Sequence, residues 1–229
     1  DALQQKRRRA LQKLDTLLQS VFFDIFGDPK NNPNGWDEIK LGDVFEISSS
    51  KRVFERDWKT EGVPFYRARE IVRLAKHGSV CNELFISEAL YGSFKKTYGA
   101  PEAGDLMVSA VGTLGACYLV KQGDRFYFKD ASVLRFRPTS TVEPGFFEFG
   151  FRTDHILNQV RSGSGSTVGT YTISRANETR FFLPPTELQR KFVSLQKTIL
   201  SIGAREMVQL TNMDSMFAAI QNKSFGSRD

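Results

Sequence analysis

Apolar residues recur at spacings of three and four near both ends of the chain, with short, turn-broken runs between them. From Ala2 to Phe26 they stand at Leu3, Ala10, Leu14, Leu17, Val21 and Ile25. From Thr186 to Gln221 they stand at Leu188, Phe192, Leu195, Ile199, Ile202, Leu210, Met213, Phe217 and Ile220. A narrow seam at this period predicts helices that pack on other helices. Both arms leave the same intervening domain, so they are expected to pair as an antiparallel coiled coil, a spacer and dimerisation device. Distal seam residues such as Leu3 and Phe217 would then meet a second copy, or the missing half of a longer protein. The first helix should stop at Phe26-Gly27-Asp28-Pro29, where Gly takes a left-handed stop and Pro bars continuation. At the second, Thr186 is expected as N-cap with Gln189 completing a capping box.

After the turn-rich linker Asn31-Asn32-Pro33-Asn34-Gly35, the period shortens from Trp36 to Pro185. Strands are predicted at Val44–Ser48, Pro64–Arg67, Asp105–Ala110, Ala116–Val120, Arg125–Lys129, Ser132–Arg137, Thr170–Ile173 and Arg180–Leu183. Gln122-Gly123-Asp124 reads as a hairpin turn. Helices are expected at Ser87–Lys96 and Gly145–Arg161. The 20 phenylalanines must be mostly core, because aromatic burial is the main stabilising resource of an irregular β domain. The predicted class is α+β: one β-rich globular domain over residues 30–185, an N-terminal helix over 1–29 and a C-terminal long helix over 186–229.

Composition narrows the partners. The chain has 229 residues and 40% hydrophobic content, enough for a real core. A charge of +6 and a pI near 9.3 suit a nucleic-acid partner without requiring one. Lys6, Arg7, Arg8, Arg9 and Lys13 read as a solvated helix face, with a phosphate-contacting strip as the alternative. Cys81 and Cys117 are read as buried, reduced thiols of a cytoplasmic protein. No signal peptide or membrane-spanning run is expected. The missing starting Met suggests a processed or excised segment.

No catalytic constellation is visible. His77 and His155 lack metal-ligand spacing to each other or to the cysteines, so no metal is expected. Walker and dinucleotide fingerprints are absent, as is an Asn/Asp-Pro-Pro-aromatic methyltransferase tetrapeptide. Ser162-Gly163-Ser164-Gly165-Ser166 resembles a nucleophile elbow only superficially and is read as a loop. No bound cofactor is expected.

What remains is a set of polar, basic segments with interleaved aromatics. Lys51, Arg52, Tyr66, Arg67, Arg69, Lys95, Lys96, Thr113, Lys129, Ser166, Thr167 and Tyr171 are the candidate DNA contacts. Arg67 and Arg69 are the candidate base readers, because a guanidinium can bind guanine at two acceptors; Lys51, Arg52, Lys95 and Lys96 suit phosphates. The competing reading of Arg67 is a surface pair with Glu70. Seam residues Leu3, Leu14, Leu17, Val21, Leu195, Ile199, Ile202, Leu210 and Phe217 are the candidate dimer or partner contacts.

Several stretches carry a family resemblance. Leu14-Asp15-Thr16-Leu17-Leu18-Gln19-Ser20 runs into Phe26-Gly27-Asp28-Pro29, followed by Trp36-Asp37-Glu38-Ile39-Lys40-Leu41-Gly42-Asp43-Val44. Val63-Pro64-Phe65-Tyr66-Arg67 leads to Glu70-Ile71, then Gly112-Thr113-Leu114-Gly115 and Phe182-Leu183-Pro184-Pro185-Thr186-Glu187-Leu188-Gln189-Arg190-Lys191. In this order the chain resembles the specificity subunit of type I restriction-modification systems over nearly its whole length. The resemblance implies a non-catalytic subunit whose target-recognition domain reads one half of a bipartite double-stranded DNA target. It implies methyltransferase subunits using S-adenosylmethionine as partners and, in the full complex, an ATP-driven restriction subunit. Family members ordinarily carry two recognition domains, and only one is present here. A homodimer or a second recognition half is therefore expected. The competing class is a coiled-coil protein-interaction adaptor without DNA specificity.

Overall fold

The structure, a computed structural model, describes residues 2–162 and 169–225, with the side chains of 2–4, 6–8, 11 and 206–225 left aside. It divides into two compact units, Asp1–Asp28 with Arg190–Asp229, and Pro29–Gln189. Helix α1 (Ala2–Phe26) ends at Gly27, whose φ of 79° and N–H bond to the Phe23 carbonyl (2.8 Å) make a left-handed stop. In the turn that follows, the Asn32 amide accepts from the Trp36 N–H and donates to its carbonyl.

In the second unit, β1 (Glu38–Lys40), the one-turn α2 (Leu41–Val44) and β2 (Phe45–Ser48) run on directly. β3 (Val63–Tyr66) feeds α3 (Ala68–His77), and β4 (Phe85–Ile86) feeds α4 (Glu88–Tyr98), capped by Ser87 Oγ at the Leu90 N–H. Next come β5 (Leu106–Ser109), β6 (Cys117–Leu119), β7 (Tyr127–Phe128) and β8 (Val133–Pro138). Helices α5 (Pro144–Gly150), α6 (Asp154–Arg161) and α7 (Ile173–Glu178) precede β9 (Arg180–Phe182) and α8 (Thr186–Phe225).

These strands build three small sheets: antiparallel β2-β8-β5-β6, mixed β4-β3-β7 and antiparallel β1-β9. Within the mixed sheet β3 and β7 run parallel, with Phe65 beside Tyr127 and Tyr66 beside Phe128. Helix α3 buries Ile71 and Leu74 with Met107, Tyr118, Val120 and Val133. A second cluster gathers Val53, Val63, Phe65, Ile86, Tyr91 and Tyr127. A third consists of phenylalanines: Phe147 meets Phe45, Phe146 and Phe181 edge-on or tilted, with ring centres 5.0–6.1 Å apart. Such arrangements align a positive ring edge with a negative ring face.

Several expectations need correction. The segment expected as one helix over 145–161 is two: the Thr153 hydroxyl donates to the Gly150 carbonyl (2.7 Å), and its extended backbone (φ −82°, ψ 146°) breaks the helix before a new start at Asp154. Thr170–Ile173 is not a strand: Thr172 Oγ1 accepts from the Arg175 N–H and opens α7. The turn at Gln122–Gly123 joins β6 to β7, which lie in different sheets, so it is no hairpin. Helix α3 lies where the sequence pattern predicts none. Its start lacks a Ser or Thr cap and relies instead on Glu70, whose carboxylate accepts the Arg67 N–H at 2.9 Å. At α8 the expected capping box is absent: Thr186 donates to the Thr141 carbonyl and Gln189 to that of Pro184, while Gln189 Oε1 accepts the Glu143 N–H. Cys117 is buried as expected, but Cys81 is exposed.

In the helical unit, Phe192 packs edge-on against Phe22 (5.2 Å) and Phe26 (5.6 Å), and Gly203 lies against Leu14. As α1 runs from residue 14 to 26, its contacts on α8 run back from 203 to 192, so these segments are antiparallel. The buried stripe is Leu18, Phe22, Phe26, Phe192 and Val193, of which the expected seam contained Phe192. Leu17, Leu195 and Ile202 are 48%, 38% and 50% exposed; Leu14, Val21 and Ile199 are half-buried. Leu3, Leu210 and Phe217 lie outside the described side chains. Phe192→Ala is expected to destabilise the helical unit by about 3–5 kcal/mol, measured by chemical denaturation followed by circular dichroism, whereas Ile202→Ala should cost under about 1 kcal/mol.

Candidate nucleic-acid interface

Of the predicted cations, Lys51, Arg52 and Lys129 meet around β7. Its neighbours on both sides are laced by hydrogen bonds between segments distant in sequence. Ser50 Oγ donates to the Phe128 carbonyl (2.6 Å), and the Lys51 N–H to Tyr127 Oη (3.1 Å). The Ala131 N–H reaches Ser49 Oγ (3.1 Å), with Ala131 in the left-handed region at φ 56°. Arg52 Nε pairs with Asp130 at 2.8 Å, although 78 positions separate them. The Lys129 N–H bonds the Tyr66 carbonyl (2.8 Å), which brings the end of β3 and the start of α3 alongside. Lys51, Arg52, Tyr66, Arg67 and Lys129 thus form one neighbourhood.

Two further groups adjoin it. Lys51 Nζ lies 5.5 Å from the centre of the exposed Tyr98 ring at the end of α4; Lys95, in the same last turn, lines a separate hollow with Tyr91, Lys121 and Arg125, and Lys96 is exposed. Cations there also complement the negative end of the helix dipole. Val111 lines a groove of about 480 Å³ with Arg52, Trp58 and Lys129, and Thr113 stands exposed two residues further on in the β5–β6 connection. The Lys129 ammonium sits 5.6 Å from the Trp58 ring centre, a cation–π contact. Among the described residues, Lys51, Lys95, Lys96 and Lys129 have no carboxylate within ion-pair distance.

The arginines at the head of α3 are differently placed. Glu70 is fully buried and accepts from the Arg67 backbone N–H, from both Arg67 Nε and Nη2 (3.2 Å each), and from Arg69 Nε. Arg69 also pairs with Glu83. Burial by itself would raise the Glu70 pKa, but the guanidinium and backbone donors outweigh it and hold the carboxyl below its ordinary value. The pairing of Arg67 with Glu70, one of the two readings of that residue, is present; its side chain is still 27% exposed. Tyr66 is half-buried against Phe126, ring centres 4.6 Å apart, and burial raises its phenol pKa.

Two expected contacts fall elsewhere. Ser166 and Thr167 lie outside the described residues. Tyr171 is fully buried, its hydroxyl 2.8 Å from Thr179 Oγ1 and its N–H on the Ala110 carbonyl, so it is core and offers DNA no surface. Sequence reasoning missed Arg175, whose guanidinium donates to the carbonyls of Thr170, Gln159, Val160 and Ser162. It caps the C-terminus of α6 and ties that helix to the segment before α7. No local pattern announces such a long-range cap. Phe54 and Trp58 were also missed, although aromatics interleaved with Lys51, Arg52 and Arg56 were a usable signal.

Among the described residues, no group of three or more His, Cys, Asp or Glu side chains could hold a metal ion. None of their helices is long and apolar enough to cross a membrane. The surface near β7 presents lysines and arginines beside a concave, partly aromatic groove.

Comparison with known proteins gives the chain its class. Residues 33–210 match the family described as the type I restriction modification DNA specificity domain. The match covers most of the chain, and the protein belongs to this family. A Haemophilus influenzae protein named as a type I restriction enzyme specificity subunit, S.HindORF215P, is 23% identical over 158 residues, covering 69% of this chain and 38% of its own. The fold is shared with the type I restriction-modification S subunit of M. genitalium (TM-score 0.55, 18% identity, 94% of this chain and 54% of that one). It is also shared with the HsdS subunit of Thermoanaerobacter tengcongensis (TM-score 0.58, 18% identity, 99% and 54%). A chain from a structure of type I R-M system assembly and conformational transition gives a TM-score of 0.65 at 17% identity, over 97% and 53%. The chain therefore spans about half the length of these solved relatives.

The Glu70 cluster makes a prediction about acid stability. A carboxyl whose folded pKa lies below its unfolded one contributes stability above the unfolded value and loses it as pH falls through the folded value. Glu70→Gln should cost about 1.5–3 kcal/mol at neutral pH, the usual worth of hydrogen bonds to a charged group. The difference from the parent should shrink as pH falls below 4.5, the ordinary value for glutamate. Urea denaturation at a series of pH values reads it; a difference that stays constant down to full protonation would contradict the assignment.

Proposed function

We propose that residues 30–185 are a target-recognition domain that binds double-stranded DNA sequence-specifically, as part of the specificity subunit of a type I restriction-modification complex. The observation that carries this reading is the family match over residues 33–210. The gathering of Lys51, Arg52 and Lys129 around β7 supports it. In this reading the domain reads one half of a bipartite target. A second recognition half, from another copy or from a longer chain, reads the other. The helices over 1–29 and 186–229 form the antiparallel coiled coil that sets the gap, and they dock methyltransferase subunits and, in the full complex, a restriction subunit. The complex acts in the cytoplasm.

Lysines lacking a carboxylate partner suit phosphates, because an ammonium is a compact point charge that needs no fixed geometry. Arg67 and Arg69, held rigidly by Glu70, present a pre-oriented edge for bases, and Thr113, Ser166 and Thr167 can add hydrogen bonds. The test is a binding titration of the chain assembled with methyltransferase subunits, against a target found by methylome sequencing and a scrambled duplex. Lys51→Ala and Lys95→Ala should each weaken both duplexes alike and reduce the salt slope by about 1. Arg67→Ala should lower the target-to-scrambled ratio by an amount equivalent to about 1–3 kcal/mol. An unchanged ratio removes Arg67 as a reader, and equal binding of target and scrambled DNA by the parent complex removes the function itself.

Catalysis belongs to the partners in this reading. The isolated chain, given S-adenosylmethionine, ATP and magnesium, should neither methylate nor cleave DNA; robust turnover in a radiolabelled methyl-transfer or plasmid-nicking assay would contradict it.

A further inference from the structure

We propose that Phe54 is a specificity-determining residue that receives the 5-methyl group of a thymine from the major-groove edge of the target, an inference that rests on the DNA-binding reading above. The groove of about 480 Å³ beside it is lined by Val53, Phe54, Trp58 and Val111, together with two cations and two carboxylates. The charges balance only in number: Arg52 is paired with Asp130 at 2.8 Å, while Glu55 shares the lining with Lys129, which makes no ion pair. A phosphate seat needs excess positive charge, which this groove lacks. Its distinguishing property is apolar surface.

Phe54 supplies most of that property. Its ring is 51% exposed while the neighbouring Val53 is buried in the core, so the ring is held at the surface by its own loop. Arg56 stands 5.0 Å from the ring centre and covers part of it, leaving the remainder turned to the groove. Phe54 also ends the segment that begins at Lys51 and Arg52, so any duplex lying on those cations passes close to the ring. On the major-groove edges of the four base pairs, thymine's methyl is the apolar group, next to an O4 acceptor. Arg52 and Lys129 at the rim can donate to that oxygen. An apolar ring beside a donor is the complement of a thymine edge.

The probe is the target duplex with each thymine replaced in turn by deoxyuridine, which removes only the methyl. It is bound by the chain assembled with its methyltransferase subunits. At one or more positions in the half-site the parent should bind about fourfold less tightly, the factor that goes with burial of one methyl-sized group. Phe54→Ala should bind thymine and uracil versions equally at that position, and Phe54→Leu should keep part of the difference. Because the side chain is exposed, these variants leave the core untouched. The inference is overturned if no thymine is sensitive in the parent, or if Phe54→Ala keeps the full discrimination. It is also overturned if Phe54 acts as a wedge, seen as a loss of 2-aminopurine fluorescence at a base step in Phe54→Ala without any uracil effect. A parent complex that fails to prefer target over scrambled DNA overturns the underlying reading instead, before any uracil is introduced.

Discussion

Tyr127 and Phe128 form a strand of two residues whose backbone and side chains are used on every side. They pair in parallel with Phe65 and Tyr66, and the next N–H, that of Lys129, continues the ladder to the Tyr66 carbonyl. The Phe128 carbonyl takes the Ser50 hydroxyl, and the Tyr127 phenol takes the Lys51 N–H. Buried backbone polar groups must be paired, and so short a strand can satisfy its own only by drawing in both flanking segments. That requirement brings the ends of β2, β3 and β7 together. The charged groups of the proposed interface ride on those ends, so their placement follows from hydrogen-bond satisfaction in the core.

Arginine and lysine divide the work in this domain. Arg67 and Arg69 enclose buried Glu70, and Arg137 binds buried Asp105 through Nε and Nη2 at 3.0 and 2.8 Å. Arg175 closes the end of α6 through carbonyls. A planar fork of donors suits such sites, where several acceptors must be met at once. The lysines around the groove rest instead against aromatic rings, Lys51 by Tyr98 and Lys129 by Trp58. An ammonium over a ring keeps access to water, so it can meet a phosphate without first breaking an ion pair.

The helical unit shows the same economy of contact. Phe22, Phe26 and Phe192 supply ring edges and faces where α1 and α8 meet, and Gly203 supplies room for Leu14. Packing along this stripe leaves Leu17, Leu195, Leu200 and Ile202 on the outside. Apolar residues in helical rows that their own unit does not cover are what the proposed partner contacts would require.

The sequence by itself determined the elements whose causes are local. Periods of three and four placed the two arms, and Gly27 with Pro29 placed the end of the first. Buried apolar runs placed β5 and β8, and Ser87 placed the start of α4. Ordered motifs carried the family resemblance, to which composition and charge could add little. Tertiary structure decided everything that depends on partners distant in the chain. It made a helix of Ala68–His77 by burying Ile71 and Leu74 against Met107, Tyr118, Val120 and Val133. It buried Tyr171 through a hydroxyl bond to Thr179, and it joined Arg52 to Asp130. It also chose which helical row is buried: spacing defines a stripe to within one residue, and the choice between adjacent stripes rests on how closely two surfaces can approach. No single segment encodes that distance, since it is a property of two surfaces at once.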